Sequence, residues 1–245
     1  MPNSRYRLCD LFGIPVYVDI SVAILLLIFV TGERSFSMGL ATALVLAISV
    51  VMHELGHALT ARAFGFRTRD ITISLLGGCA SLISLPRKAW QEFLTALAGP
   101  LVSFAVAGSV VLLDVFEVRI ENGWLRGVLG YAAWINLMLG LFNLLPGFPM
   151  DGGRIFRSVM RAFMTRAKAT HVAMWVGRAF AILLAFRGLH SILTGGSWGF
   201  VSILIAWMIW REGYREYLQA LDEERWGGWS QGDFNARVSP PPYDR

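Results

Sequence analysis

Residues 45–64 read VLAISVVMHELGHALTARAF, an apolar run broken by two histidines and a glutamate in the segment His53-Glu54-Leu55-Gly56-His57. A run of this length can cross a bilayer as a helix, for which about 20 apolar residues suffice. On a helix the i, i+4 spacing turns both imidazoles to one face, where they can hold one zinc ion at about 2.0–2.1 Å. Glu54 stands beside the pair, in position to act as general base toward a water that the metal acidifies. A five-residue H-E-x-x-H match arises by chance in roughly one chain in a hundred of this size, so alone it is only suggestive. Ionisable groups inside an apolar span, however, are costly to leave unpaired, and that location points to a functional metal site.

The surrounding chain supports a membrane setting. Of its 245 residues 55% are hydrophobic and 16% charged, with a mean hydropathy of +0.54, a balance outside that of soluble globular domains. Apolar runs predict six spans at about 14–31, 40–64, 90–113, 125–145, 171–192 and 198–215. The fold class expected is an all-α membrane protein with a short membrane-associated β-hairpin. A cytoplasmic N-terminal segment (1–13) and a polar, disordered cytoplasmic tail (216–245) flank the membrane domain of residues 14–215. The N-terminus lacks the compact apolar region and small-residue cleavage site of a removable signal peptide.

The net charge of +5 does not imply nucleic acid, because the basic residues lie between apolar runs and form no single basic domain. Arg5, Arg7, Arg62, Arg67, Arg69, Arg87, Lys88 and the series Arg154 to Arg178 fall on one side of the expected spans, with Arg34, Arg119 and Arg126 on the other. The positive-inside rule then puts both termini in the cytoplasm, in a multi-pass protein of the plasma or inner membrane. Cys9 and Cys79 are too few and too far apart for a disulfide framework or a cysteine zinc site, and both read as free thiols.

Residues 70–85, DITISLLGGCASLISL, are β-branched around Gly77-Gly78 and predict a hairpin. It either lines a water-filled cavity at membrane depth or lies in the cytoplasm. The stretch PGFPMDGGR at 146–154 ends a helix and forces a turn around Asp151. Asp151 can supply the third ligand that a catalytic zinc needs, or simply cap the next helix. Arg154, Arg157 and Arg161 then follow at helical spacing, as on an amphipathic surface helix or a solvated connector. Asn136 and Asn143 share one face of the fourth span. Asn136 serves interhelical bonding or function alike, and Asn143 is placed to donate to a developing oxyanion. His171 and His190 lack a partner at ligand spacing, and Asp19 fits the membrane interface.

Together the HELGH segment and NLLPGFPMDGGR resemble the site-2 protease family of intramembrane zinc metalloproteases, peptidase family M50. The Gly77-Gly78 hairpin, ALAGP at Ala96 to Pro100 and the arginine-rich helix after Asp151 extend the similarity over roughly residues 10–195. The resemblance implies His53, His57 and Asp151 as ligands of one Zn²⁺ per chain, Glu54 as catalytic acid/base and Asn143 as transition-state donor. It also implies peptide-bond hydrolysis in single-pass membrane-protein substrates within the lipid bilayer, with the hairpin receiving an unwound substrate strand. The expected version is a minimal one without PDZ or CBS modules, so the regulatory input they would supply is absent or comes from a membrane partner. The competing class is a zinc transporter, which predicts a continuous polar pathway across the spans.

Overall fold

The computed structural model describes residues 5–32, 35–74, 77–82, 88–196 and 199–226. The chain opens with strands β1 (Arg5–Leu11) and β2 (Ile14–Asp19), followed by helices α1 (Val22–Gly32) and α2 (Phe36–Ala63). Strands β3 (Thr68–Ser74) and β4 (Gly77–Leu82) come next, then helices α3 (Ala89–Val115), α4 (Gly123–Asn143), α5 (Asp151–Met160), α6 (Arg166–Leu193) and α7 (Gly199–Trp226).

The first of the six expected spans is corrected by this order. Residues 14–31 do not form one helix, because the first third of the run is a strand. Pro15 removes a backbone donor there, and Asp19 ends the strand by accepting the Ser21 N–H at 2.9 Å. Among the described residues four helices, α2, α3, α4 and α6, are long and apolar enough to cross a membrane. Helix α7 runs on to Trp226, so the tail expected to be disordered from 216 is helical for its first residues. Residues 227–245 lie outside the described residues, as does the side chain of Cys79, while Cys9 is a free, exposed thiol.

Of the hairpin expected at 70–85, the described residues form β3 and β4, with Gly77 and Gly78 inside β4, and both strands belong to a four-stranded sheet of order β1-β2-β3-β4; residues 75–76 and 83–85 lie outside the described residues. Strands β1 and β2 join through Phe12 (φ 52°) and Gly13 (φ 76°), the two positive φ values that a tight two-residue hairpin loop requires. Strand β2 then pairs in parallel with β3, Val16 opposite Ile71 and Val18 opposite Ile73. Parallel pairing needs a crossover, which α1 and α2 provide. Ile14 and Val16 alternate with Ile71 and Ile73 on the buried face, against Val50 and Ala58 of α2.

The chain divides into two compact units, Met1–Leu145 with Met150–Val159, and Pro146–Pro149 with Met160–Arg245. In the first, α2 starts at Ser35, whose side chain accepts the Met38 N–H at 3.2 Å. Helices α2 and α3 approach closely at Gly56, where a Cβ would stand 2.8 Å from the Ala98 carbonyl oxygen. Their outer faces expose Leu44, Ile48, Leu101 and Val111, and α4 exposes Trp134 and Leu141, as lipid-facing helices do. In the second unit α6 and α7 pack closely, a Cβ on Gly188 meeting Ile203 and Ser202 and one on Gly213 meeting Met174. The start of α6 is tied to α7 by Arg166 to Glu223 at 3.2 Å and by the Ala167 N–H donating to Glu224 at 2.7 Å.

Candidate metal centre

Helix α2 carries His53 and His57 one turn apart, both buried, at 3% and 8% exposure. Their Nε2 atoms lie 3.2 Å from each other. Asp151, 6% exposed at the first position of α5, puts Oδ2 3.1 Å from His53 Nε2 and 3.0 Å from His57 Nε2. The three atoms form a nearly equilateral triangle. Tetrahedral ligands at zinc distances stand about 3.3 Å apart, so the group needs little adjustment to hold one ion.

The far sides of the rings decide their protonation. His57 Nδ1–H donates to the Thr95 carbonyl oxygen at 2.7 Å, which leaves Nε2 with its lone pair toward the centre. His53 Nδ1 shares a hydrogen bond with Ser103 Oγ at 3.0 Å. A lone pair, a carboxylate and a second imidazole nitrogen crowd into one pocket, and a cation at their centre relieves that repulsion.

Two glycines make the geometry possible. Gly99 of α3 faces the triangle, and a Cβ on it would stand 2.2 Å from His57 Nε2 and 2.7 Å from His53 Nε2. Gly152 lets α5 begin where a Cβ would stand 2.3 Å from the carbonyl oxygens of Leu144 and Leu145. Thr95, Gly99 and Ser103 follow one another at i, i+4 on one face of α3, which is the wall of the centre.

Among the described residues His53, His57 and Asp151 form the group of three His, Cys, Asp or Glu side chains able to hold a metal ion. Glu54 stands half-buried in the same turn of α2. Asn143 ends α4 half-buried, and its Nδ2 donates to the Leu139 carbonyl oxygen at 2.9 Å within its own helix. Asn136 is fully buried and donates to Ser49 Oγ at 2.7 Å, an interhelical bond that joins α4 to α2. His171 is exposed and accepts from Trp175 Nε1 at 3.1 Å, and His190 is exposed near the end of α6. Neither takes part in the group.

Sequence reasoning missed the support of α5. Arg157, expected on a solvent-facing or interfacial helix, is buried and forms an ion pair with buried Glu92 of α3, Nε and Nη2 to one carboxylate oxygen at 2.7 and 2.6 Å. This pair fixes the helix whose first residue is Asp151 to the helix that orients both imidazoles. An acid in the first turn of an apolar helix and an arginine six residues after Asp151 were the available signals.

Residues 41–119 and 118–184 match the family model of peptidase family M50. The chain belongs to peptidase family M50. With four helices able to cross a membrane, this M50 member is a multi-pass membrane protein. It is 37% identical over 84% of its length to sll0528 of Synechocystis, whose name marks it as a candidate zinc metalloprotease. It is 36% identical over 78% of its length to zinc metalloprotease MJ0392 of Methanocaldococcus jannaschii. The M50 chain spans 58% and 56% of these two relatives, a little over half of each. The structure of a site-2 protease from Methanocaldococcus jannaschii superimposes with a TM-score of 0.64 at 31% identity, covering 87% of this chain and 95% of that one.

Proposed function

We propose that this chain is a zinc metalloprotease that hydrolyses peptide bonds in or beside transmembrane segments of membrane proteins. The observation that carries the reading is the buried triangle of His53 Nε2, His57 Nε2 and Asp151 Oδ2 over the bare Cα of Gly99. These three residues are the ligands, one zinc per chain. Zinc, when bound, supplies a Lewis acid that polarises a carbonyl and lowers the pKa of water.

The chain's own groups do the rest. Thr95 and Ser103 hold the imidazoles in register through Nδ1, and the Glu92–Arg157 pair holds Asp151. Glu54 takes the proton from the attacking water as its oxygen adds to the scissile carbonyl carbon. As the C–N bond breaks, Glu54 returns the proton to the leaving amine. Asn143, released from the Leu139 carbonyl, donates Nδ2–H to the oxyanion.

The substrate class is single-pass membrane proteins, which must unwind locally before attack. Strand β4 lies at the end of the sheet order, and an unwound segment adding beside it would gain main-chain hydrogen bonds with little sequence selectivity. The intramembrane domain occupies residues 14–215 of the chain. The β2–β3 pairing supports entry to α1 and exit from α2 on one face. The arginines near that face and the positive-inside rule make it the cytoplasm, and both termini lie there, in the plasma or inner membrane. Besides the four long helices, the apolar first half of α7 enters the bilayer beside α6. A membrane partner supplies regulation.

The deciding experiment incubates purified protein with a panel of single-pass membrane substrates in detergent, comparing wild type, Glu54→Gln and a zinc-chelated sample. Cleavage confined to zinc-loaded wild type supports the proposal. Zinc flux across reconstituted vesicles that is independent of Glu54, with no cleavage, would replace it with transport. Against transport stands the single metal-binding group among the described residues, where a pathway needs several.

A further inference from the structure

Arg178 lies on helix α6, directly before the apolar stretch 179–186. Its guanidinium sits over three rings drawn from both helices of the second unit: Trp210 at 4.5 Å, Trp175 at 5.0 Å and Tyr214 at 5.9 Å. The rings stabilise the faces of the cation but leave its in-plane N–H donors unmet. Nε is buried without a hydrogen-bond partner, and among the described residues Arg178 forms an ion pair with no carboxylate. A second cation, Arg211, lies over Trp207 at 5.4 Å on the same stretch of α7 and likewise lacks a carboxylate partner among the described residues.

The depth of this cluster can be read from α7. Residues 199–210 carry no charged side chain, whereas Arg211, Glu212, Arg215 and Glu216 follow at once. Trp210 and Tyr214, the rings that face Arg178, straddle that change. Arg178 therefore stands at the level where α7 leaves the hydrocarbon, the level at which tryptophan and tyrosine belts and long basic side chains meet phospholipid headgroups. The rings themselves remain open to the surroundings, with Trp175 53%, Tyr214 48% and Trp210 42% exposed. A ligand can thus approach the guanidinium from outside the protein.

We propose that Arg178, in its aromatic setting between α6 and α7, binds the phosphodiester of an anionic phospholipid. The planar fork presents parallel N–H donors to two phosphate oxygens, Arg211 adds positive potential, and the acyl chains lie along the exposed apolar surface of Ile182, Leu204 and Trp207. The site is separate in residues from the metal centre and does not depend on the proteolytic reading.

The test delipidates the full-length protein in detergent and measures adducts by native mass spectrometry with phosphatidylglycerol, phosphatidylcholine and sn-glycerol 3-phosphate as probes. Wild type should retain phosphatidylglycerol in preference to phosphatidylcholine and should not hold glycerol phosphate. Arg178→Gln should weaken phosphatidylglycerol binding at least about tenfold, the loss expected for one charge-assisted phosphate contact, with zinc content unchanged. Arg178→Lys keeps the charge and loses the fork. It provides the reading if the glutamine variant does not fold, and its phosphatidylglycerol affinity should fall below that of wild type. Equal phosphatidylglycerol affinity in wild type and either variant overturns the assignment. Glycerol phosphate bound as tightly as the lipid overturns it in favour of a soluble phosphate ligand.

Discussion

Replacing Gly99 by alanine tests the metal centre without touching any ligand. The added Cβ would stand 2.2 Å from His57 Nε2, 2.4 Å from its Cε1 and 2.7 Å from His53 Nε2. Ordinary van der Waals contact begins at 3.4 Å, so the rings or α3 must yield by about 1 Å, whereas a metal site tolerates ligand errors of about 0.2 Å. The rings cannot retreat freely, because each is held from behind through Nδ1, by Thr95 and by Ser103. Overpacking of this kind costs about 1–3 kcal/mol of stability. The effect on zinc should exceed the roughly 10–100-fold loss typical of removing a group that merely supports a ligand. The assay is zinc retention of detergent-purified protein during titration with a competing chelator, beside circular dichroism to follow helix content. Gly108→Ala is the matched control on the same helix, since nothing lies within 4 Å of a Cβ there, and it should behave as wild type. Gly99→Ala that keeps its helices and also keeps zinc with wild-type affinity would refute the account of α3 as the close wall of the centre.

Arg157→Met should destabilise by about 3–5 kcal/mol, because it strands the Glu92 carboxylate in a buried position, and the double variant Arg157→Met/Glu92→Leu should regain most of that loss in thermal unfolding. Glu54→Gln should keep zinc near one per chain while cleavage falls about 10²- to 10⁴-fold, the range for loss of a general acid/base; a variant that loses both would move Glu54 to a structural role. Asn143→Ala should lower kcat about 10²- to 10³-fold with KM little changed, as for loss of an oxyanion donor. If KM alone rises, Asn143 binds substrate and does not stabilise the transition state.

What the sequence made legible depended on how local the signal was. His53, Glu54 and His57 are fixed relative to one another by helical geometry alone, and Asp151 was marked by its prolines and glycines, so the metal group could be proposed before any tertiary structure. The spans corresponding to α2, α3 and α4 follow from length and composition. Residues 14–31 misled because strand β2 and helix α1 are both apolar and adjoin without a polar break longer than Asp19 to Ser21. Alternation of period two in Ile14, Val16 and Val18 was present but submerged in the run. Gly99, Ser103 and the Thr95 carbonyl were invisible as site components, since their role arises only when α3 packs against α2. The Glu92–Arg157 pair was hidden for the same reason: its members are 65 residues apart in the chain.

The parallel pairing of β2 with β3 also sets an order of assembly. Val16 cannot meet Ile71 until everything between them has left the ribosome, including both α1 and the whole of the helix that bears His53 and His57. The N-terminal hairpin can form at once, whereas the other edge of β2 must wait for its parallel partner. Sheet closure therefore comes after synthesis of α2 and ties β3, the strand that follows that helix, back to the N-terminal strands. Since Asp151 is synthesised later still, the nascent chain carries its two histidines before it owns the third member of the group able to hold a metal ion.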